Sequence, residues 1–163
     1  ALLPSFPFRM IINPYRFAAS GTGYLLDDYA GASAGYSLRA LSASYQTTNA
    51  VVQVRRTGDS TLDTFTAEEV TDGTLASWVT SGGGTENGHV RVFYDQSGNG
   101  NNIIQTINGR QPLIVSGGVL LSDGIKFDGT DDYFDCGFAA GSATGQSIRD
   151  KTETASFIGP RAL

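Results

Sequence analysis

Cysteine is nearly absent: Cys136 stands alone among 163 residues, so no intrachain disulfide and no multi-thiolate zinc site can form. Folding then has no need of an oxidising compartment. Charge is scarce too, at 17% of residues against about 25% in a typical globular chain. The 11 Lys and Arg are outnumbered by 16 Asp and Glu, for a net charge of -5. Nucleic-acid affinity rests on clustered cations that release counterions from phosphates, so no DNA or RNA partner is expected. Histidine occurs once, at His89, which leaves no two-histidine metal motif and no Ser/His/Asp set with an identifiable nucleophile turn. Gly82-Gly83-Gly84 lacks the Lys-Ser/Thr that completes a phosphate cradle, which argues against a nucleotide site. No apolar run approaches the roughly 20 residues of a membrane span, and the opening ALLPSFPFRMIINPYRFA has no cationic start. Membrane insertion and a signal peptide are both unexpected.

Glycine is plentiful, at 21 residues, which calls for many turns and few helices. The length suits one domain. Residues 1–20 stand apart from it. Pro4, Pro7 and Pro14 prevent a continuous helix, yet Phe6, Phe8, Ile11, Ile12 and Tyr15 are too apolar for a solvated tail. This extended arm either covers an edge of its own domain or docks on a neighbouring subunit. Residues 21–163 form the domain proper.

Within it, Ser33 is placed to cap a helix over 34–44, with Leu38, Leu41 and Tyr45 on one face. Val51 to Arg56 reads as a β-branched strand, followed by turn chemistry in Thr57-Gly58-Asp59-Ser60. Thr66 with Glu68 and Glu69 fits the first turn of a helix, where acids suit the dipole, and a second short helix is expected over 74–79. From His89 the pattern alternates with period two, and further runs at 103–107, 112–115, 119–121, 124–127 and 133–138 are separated by Gly-containing turns. Such spacing predicts an all-β, antiparallel β-sandwich with one or two short helices. Residues 139–163 show little period and are read as irregular, and no tandem repeat is visible.

Two stretches invite chemistry. In Tyr94-Asp95-Gln96-Ser97-Gly98-Asn99-Gly100-Asn101, the polar side chains can bond to nearby backbone while Gly98 or Gly100 accepts positive φ. Asp95 can also pair with Arg55 or Arg56. The stretch is either a self-satisfied corner or a ligand-contacting loop. In the second, Asp128, Asp131, Asp132 and Asp135 offer oxygen ligands to calcium, but the EF-hand spacing is absent, and a hairpin turning at Asp128-Gly129 with Phe127, Phe134, Cys136 and Phe138 facing the core is preferred. No metal or other cofactor is otherwise expected. Sugar sites combine an aromatic platform with planar polar groups, and the candidates are Tyr94, Gln96, Asn99, Asn101, Asn102 and Tyr133. Sixteen acids do not exclude a glycosidase, which needs only two carboxyls, and nothing in their arrangement points to one.

Three segments carry a resemblance: Tyr36 to Tyr45 (YSLRALSASY), Val51 to Arg56 (VVQVRR) and Phe93 to Asn101 (FYDQSGNGN). Together they look like the amino-terminal part of the arabinofuranosidase B catalytic domain, a concanavalin-like β-sandwich. The stretch IKFDGTDDY ending at Tyr133 is similar to a hairpin of laminin-G-like and pentraxin-like lectin sandwiches. The whole, including Phe65 to Trp78, resembles lectin-like domains of bacteriophage structural proteins more closely, over roughly residues 15 to 138. The enzyme family's catalytic carboxylates fall downstream of the matched part, and it uses disulfides where this chain has only Cys136, so no catalytic residue is carried over. The resemblance implies a concanavalin-like jelly roll and a non-enzymatic structural protein of the virion, in a capsid decoration, fibre or tail. It would be anchored to other virion proteins by the arm, as a homo-oligomer or part of a larger assembly, with contact to cell-surface glycan. The alternatives are a stand-alone carbohydrate-binding module and a fragment of an arabinofuranosidase-like glycoside hydrolase.

Overall fold

A computed structural model describes residues 23–83 and 86–136, and the backbone of 146–149. Among these residues eight strands belong to one antiparallel sheet: β1 (Val52–Arg56), β2 (Leu62–Phe65), β3 (Gly88–Phe93), β4 (Ile103–Ile104), β5 (Leu113–Ser116), β6 (Val119–Leu120), β7 (Tyr133–Cys136) and β8 (Gln146–Arg149). The all-β reading holds at this level. The main path runs β2-β1-β3-β4-β7-β8. β3 is a branch point: Val92 and Phe93 pair with β4, whereas Gly88 and His89 pair with β5, which continues to β6. Four short helices accompany the sheet, α1 (Leu25–Asp28), α2 (Ser44–Thr47), α3 (Ala67–Thr71) and α4 (Thr74–Thr80), with a 3-10 turn at Asn108–Arg110. That exceeds the one or two helices expected.

Local chemistry explains the elements that form. Thr66 Oγ1 accepts from Glu69 N while Glu69 Oε2 accepts from Thr66 N, a reciprocal cap that starts α3. Asp72 Oδ1 accepts from Thr74 N, and Gly73 turns with φ 95°, so only two residues separate α3 from α4. Buried Leu75 and Val79 face inward from α4. They join Val52, Val54, Val90, Ile114, Val115 and Phe134 in the core. β3 buries every second residue, Gly88, Val90 and Val92, as its alternation requires.

Gly88 marks the closest approach. A Cβ there would lie 3.0 Å from Val79 Cγ2, 3.1 Å from Val54 Cγ1 and 3.2 Å from Val115 Cβ. The helix therefore sits on the sheet only because this strand position has no side chain. Gly88→Ala is expected to lower stability by about 1–3 kcal/mol through overpacking, measured as a drop in the urea midpoint at constant m-value.

Several expectations are corrected. The 34–44 helix is not formed: helix is confined to Ser44–Thr47, and the residues before it follow an irregular path held by the side chains of Asp95 and Gln96. α1 and β2 carry no expectation from the sequence; β2 buries only Phe65 and lies at the sheet's edge. The 103–107 run is strand only at Ile103–Ile104, because the Gln105 side chain accepts from Ile107 N and ends the ladder. Residues 124–127 and β7 do not form a hairpin. Lys126 pairs with Leu113, and β7 with β4 and β8, because Asp128 Oδ1 takes the amides of Thr130, Asp131 and Asp132 into a wide turn. Phe127 still packs against the core, where Phe134 and Cys136 are buried; Phe138 lies outside the described residues. β8 places strand within a segment read as irregular, since backbone pairing with β7 needs no apolar period. The arm residues Phe6, Phe8, Ile11, Ile12 and Tyr15 also lie outside the described residues.

Candidate functional site

The corner after β3 is built around one carboxylate. Asp95 is 3% exposed. Its Oδ1 accepts from Gly35 N and Ser97 N, both 2.8–2.9 Å away, and its Oδ2 accepts from Ser97 Oγ at 2.7 Å and Asn101 N at 3.0 Å. Burial works to raise the Asp95 pKa, but these bonds to the charged form outweigh it and hold the carboxyl below its ordinary value. Gly98 and Gly100 both take positive φ, 86° and 74°, which lets the loop fold back onto the acid. Asp95 makes no pair with Arg55 or Arg56. Arg56 instead forks onto Asp59 and lies over the Trp78 ring, and Arg55 turns to Gln111.

Gln96, also 3% exposed, completes the corner. Its Oε1 accepts from Leu41 N, and its Nε2 donates to Ser37 O and Arg39 O. Asn99 Nδ2 donates to Ala32 O and Ser33 O, Asn101 Nδ2 to Ser33 O, and the Tyr36 hydroxyl to Asn101 O. Burial, with the charge of Asp95 nearby, pushes the Tyr36 phenol up to about 12. Gln96, Asn99 and Asn101 thus direct their carboxamides at the backbone of residues 32–41.

Beside this corner opens a cleft of about 490 Å³, lined by Tyr45, Asn49, Thr64, Tyr94 and Asn102 around Asp95. Tyr45 donates to Asp95 O, and Asn102 Oδ1 accepts from Asp95 N, so both are oriented by the same residue. Of the six sugar-site candidates, Tyr94 and Asn102 line this cleft, and Gln96, Asn99 and Asn101 hold the corner behind it. Tyr133 is elsewhere. It stands on β7 with its ring under the Arg110 guanidinium, 5.8 Å away, and its backbone is bonded to Gln105 at the level of Arg91. Tyr45, Asn49 and Thr64 were not foreseen as site residues.

Asp128, Asp131 and Asp132 bring carboxylate oxygens within 4.8 Å of one another, without Asp135. Backbone amides account for Asp128 and Asp132, and Arg110 Nε stands 3.6 Å from Asp131, so this turn is explained without an ion. The acids offer calcium no further argument.

His89 lies across the ladder from Arg55, and its Nδ1 donates to Gln111 O at 2.9 Å. Burial lowers its pKa; Arg55 adds to that, while the Gln111 bond and Asp132 oppose it. The unfolded chain therefore takes up this proton first as pH falls, so stability is expected to decline as pH drops through about 6.5 and to level once folded His89 charges. Thermal midpoints between pH 7.5 and 5, with His89→Gln losing this part of the slope, check it.

Comparison with family models, with curated proteins and with solved structures finds no match to this chain.

Proposed function

We propose that this chain is a non-enzymatic, lectin-like structural module of a phage virion, serving in a capsid decoration, fibre or tail and engaging other virion proteins through residues 1–20. On this reading the sheet, which branches at β3 along β4-β7-β8 and along β5-β6, is one part of a concanavalin-like sandwich. The observation that carries the reading is the bonding of Asp95. The carboxylate that lines a cleft beside the resemblance motif already accepts four hydrogen bonds from the protein, which suits a scaffold and leaves little lone-pair capacity for a nucleophile or general base. A hydrolase fragment would need that capacity.

Two measurements test it. Incubation with aryl arabinofuranosides and related glycosides should give no turnover; turnover abolished by replacing a single carboxylate would overturn the reading. A chain lacking residues 1–18 should keep its circular dichroism and thermal midpoint yet be missing from purified particles, and its incorporation at the level of the full chain would remove the anchoring role.

A further inference from the structure

The cleft beside the corner differs from the corner itself in one respect: several of its polar groups are unbonded. The Asn49 carboxamide, the Thr64 and Tyr94 hydroxyls and the Asn102 Nδ2 have no hydrogen-bond partner among the described residues, in contrast to the side chains of Asp95 and Gln96, whose polar atoms are all bonded, and to Asn99 and Asn101, whose Nδ2 groups are bonded to the 32–33 backbone. The four residues that carry these groups come from four separate segments, the loop after α2, β2, the residue after β3 and the loop before β4, and line one concavity together with Tyr45. A volume of about 490 Å³ is within the range of small-ligand sites, about 300–1,000 Å³.

The lining also selects the ligand's charge. Among the described residues that line it there is no Lys, Arg or His, and the one acid among them is buried and bonded. A phosphate, a uronate or a sialic acid would enter with no cation to receive it and a carboxylate beneath it, in a molecule of net charge -5. An uncharged ring bearing hydroxyls fits. Its C–H face can lie on a tyrosine ring, whose π face is negative, while carboxamides present a donor and an acceptor side by side to adjacent hydroxyls.

We propose that this cleft binds an uncharged saccharide, with Tyr94 as its stacking surface and Asn49, Thr64 and Asn102 as its hydroxyl contacts. The choice of a saccharide among uncharged ligands rests on the lectin-like reading; the location and the charge selection do not. Asn49 and Thr64 are exposed, so changes there leave the corner intact.

The full chain is titrated by ligand-observed NMR with neutral oligosaccharides and with sialylated and uronate-containing ones. Binding of a neutral saccharide should weaken about tenfold or more in Asn49→Ala, which removes a hydroxyl contact, and in Tyr94→Leu, which removes the stacking ring. Thr64→Lys, which puts a long cation into the cleft, should abolish it. Tyr133→Phe, on the far part of the sheet, should leave it unchanged. Binding confined to acidic saccharides, binding untouched by all three cleft variants, or no binding of any saccharide would each overturn the proposal. Hydrolysis of the bound sugar would instead overturn the non-enzymatic reading and leave the cleft assignment standing.

Discussion

Asp95→Ala is expected to cost about 2–3 kcal/mol of stability, because it leaves the half-buried amides of Gly35, Ser97 and Asn101 without their acceptor, each at the low end of the penalty for an unpaired buried amide. The loss is not confined to the corner. Gly35 is the point at which residues 32–41 are tied to the end of β3, so their exchange protection should fall with it, at Leu41 N in particular, which Gln96 holds from the neighbouring position. Asp95→Asn keeps the shape but turns one oxygen into a donor facing donors, and should recover only part of the loss. The depressed pKa gives a second readout. Asp95 supports the fold fully above the unfolded carboxyl value of about 3.9, and that support is lost as pH falls through the lower folded value. Parent and variant stability curves should therefore converge in acid. A denaturation midpoint for Asp95→Ala within error of the parent at neutral pH would show that the corner is not held by this group.

The same residue explains much of what the sequence concealed. Elements set by neighbours in the chain were legible: the Thr66–Glu69 cap, the Asp72-Gly73 start of α4, and the buried alternation of β3. The helix over 34–44 was misread because its backbone partners come from Gln96, more than 50 residues away, which bonds Leu41 N, Ser37 O and Arg39 O. Leu38 and Tyr45 do pack against the core, so the apolar spacing was real, but an irregular loop presents them as well as a helix would. The cleft was half legible. Tyr94 and Asn102 adjoin a conspicuous turn, whereas Tyr45, Asn49 and Thr64 reach it from elements whose meeting depends on β1 pairing with both β2 and β3. Tyr133 was grouped with them as an aromatic beside the second conspicuous turn, and the strand order separates the two turns.

The second large effect is expected at Gln111, which is 2% exposed and joins the polar interior of the sheet. Its Oε1 accepts from Arg55 Nε at 2.7 Å, and its Nε2 donates to Gln105 O at 2.9 Å; Gln105 in turn donates to Tyr133 O. Arg55 is itself 7% exposed and bonded to neutral oxygens of Gln111 and Asn108 rather than to a carboxylate. Burial accordingly lowers its pKa from the ordinary guanidinium value. Such a cation depends heavily on each neutral acceptor. Gln111→Leu should destabilise by about 3–5 kcal/mol, since it strands a buried charge and also unpairs Gln105 O. Arg55→Met alone strands only neutral acceptors, the Gln111 and Asn108 oxygens, and should cost less. The double variant replaces both partners with apolar groups of similar length, removing the charge that made the first change severe. Its cost should fall below the sum of the two single costs by at least about 1 kcal/mol in a urea double-mutant cycle. Additivity would mean that Gln111 supports the sheet through Gln105 alone, with Arg55 satisfied independently of it.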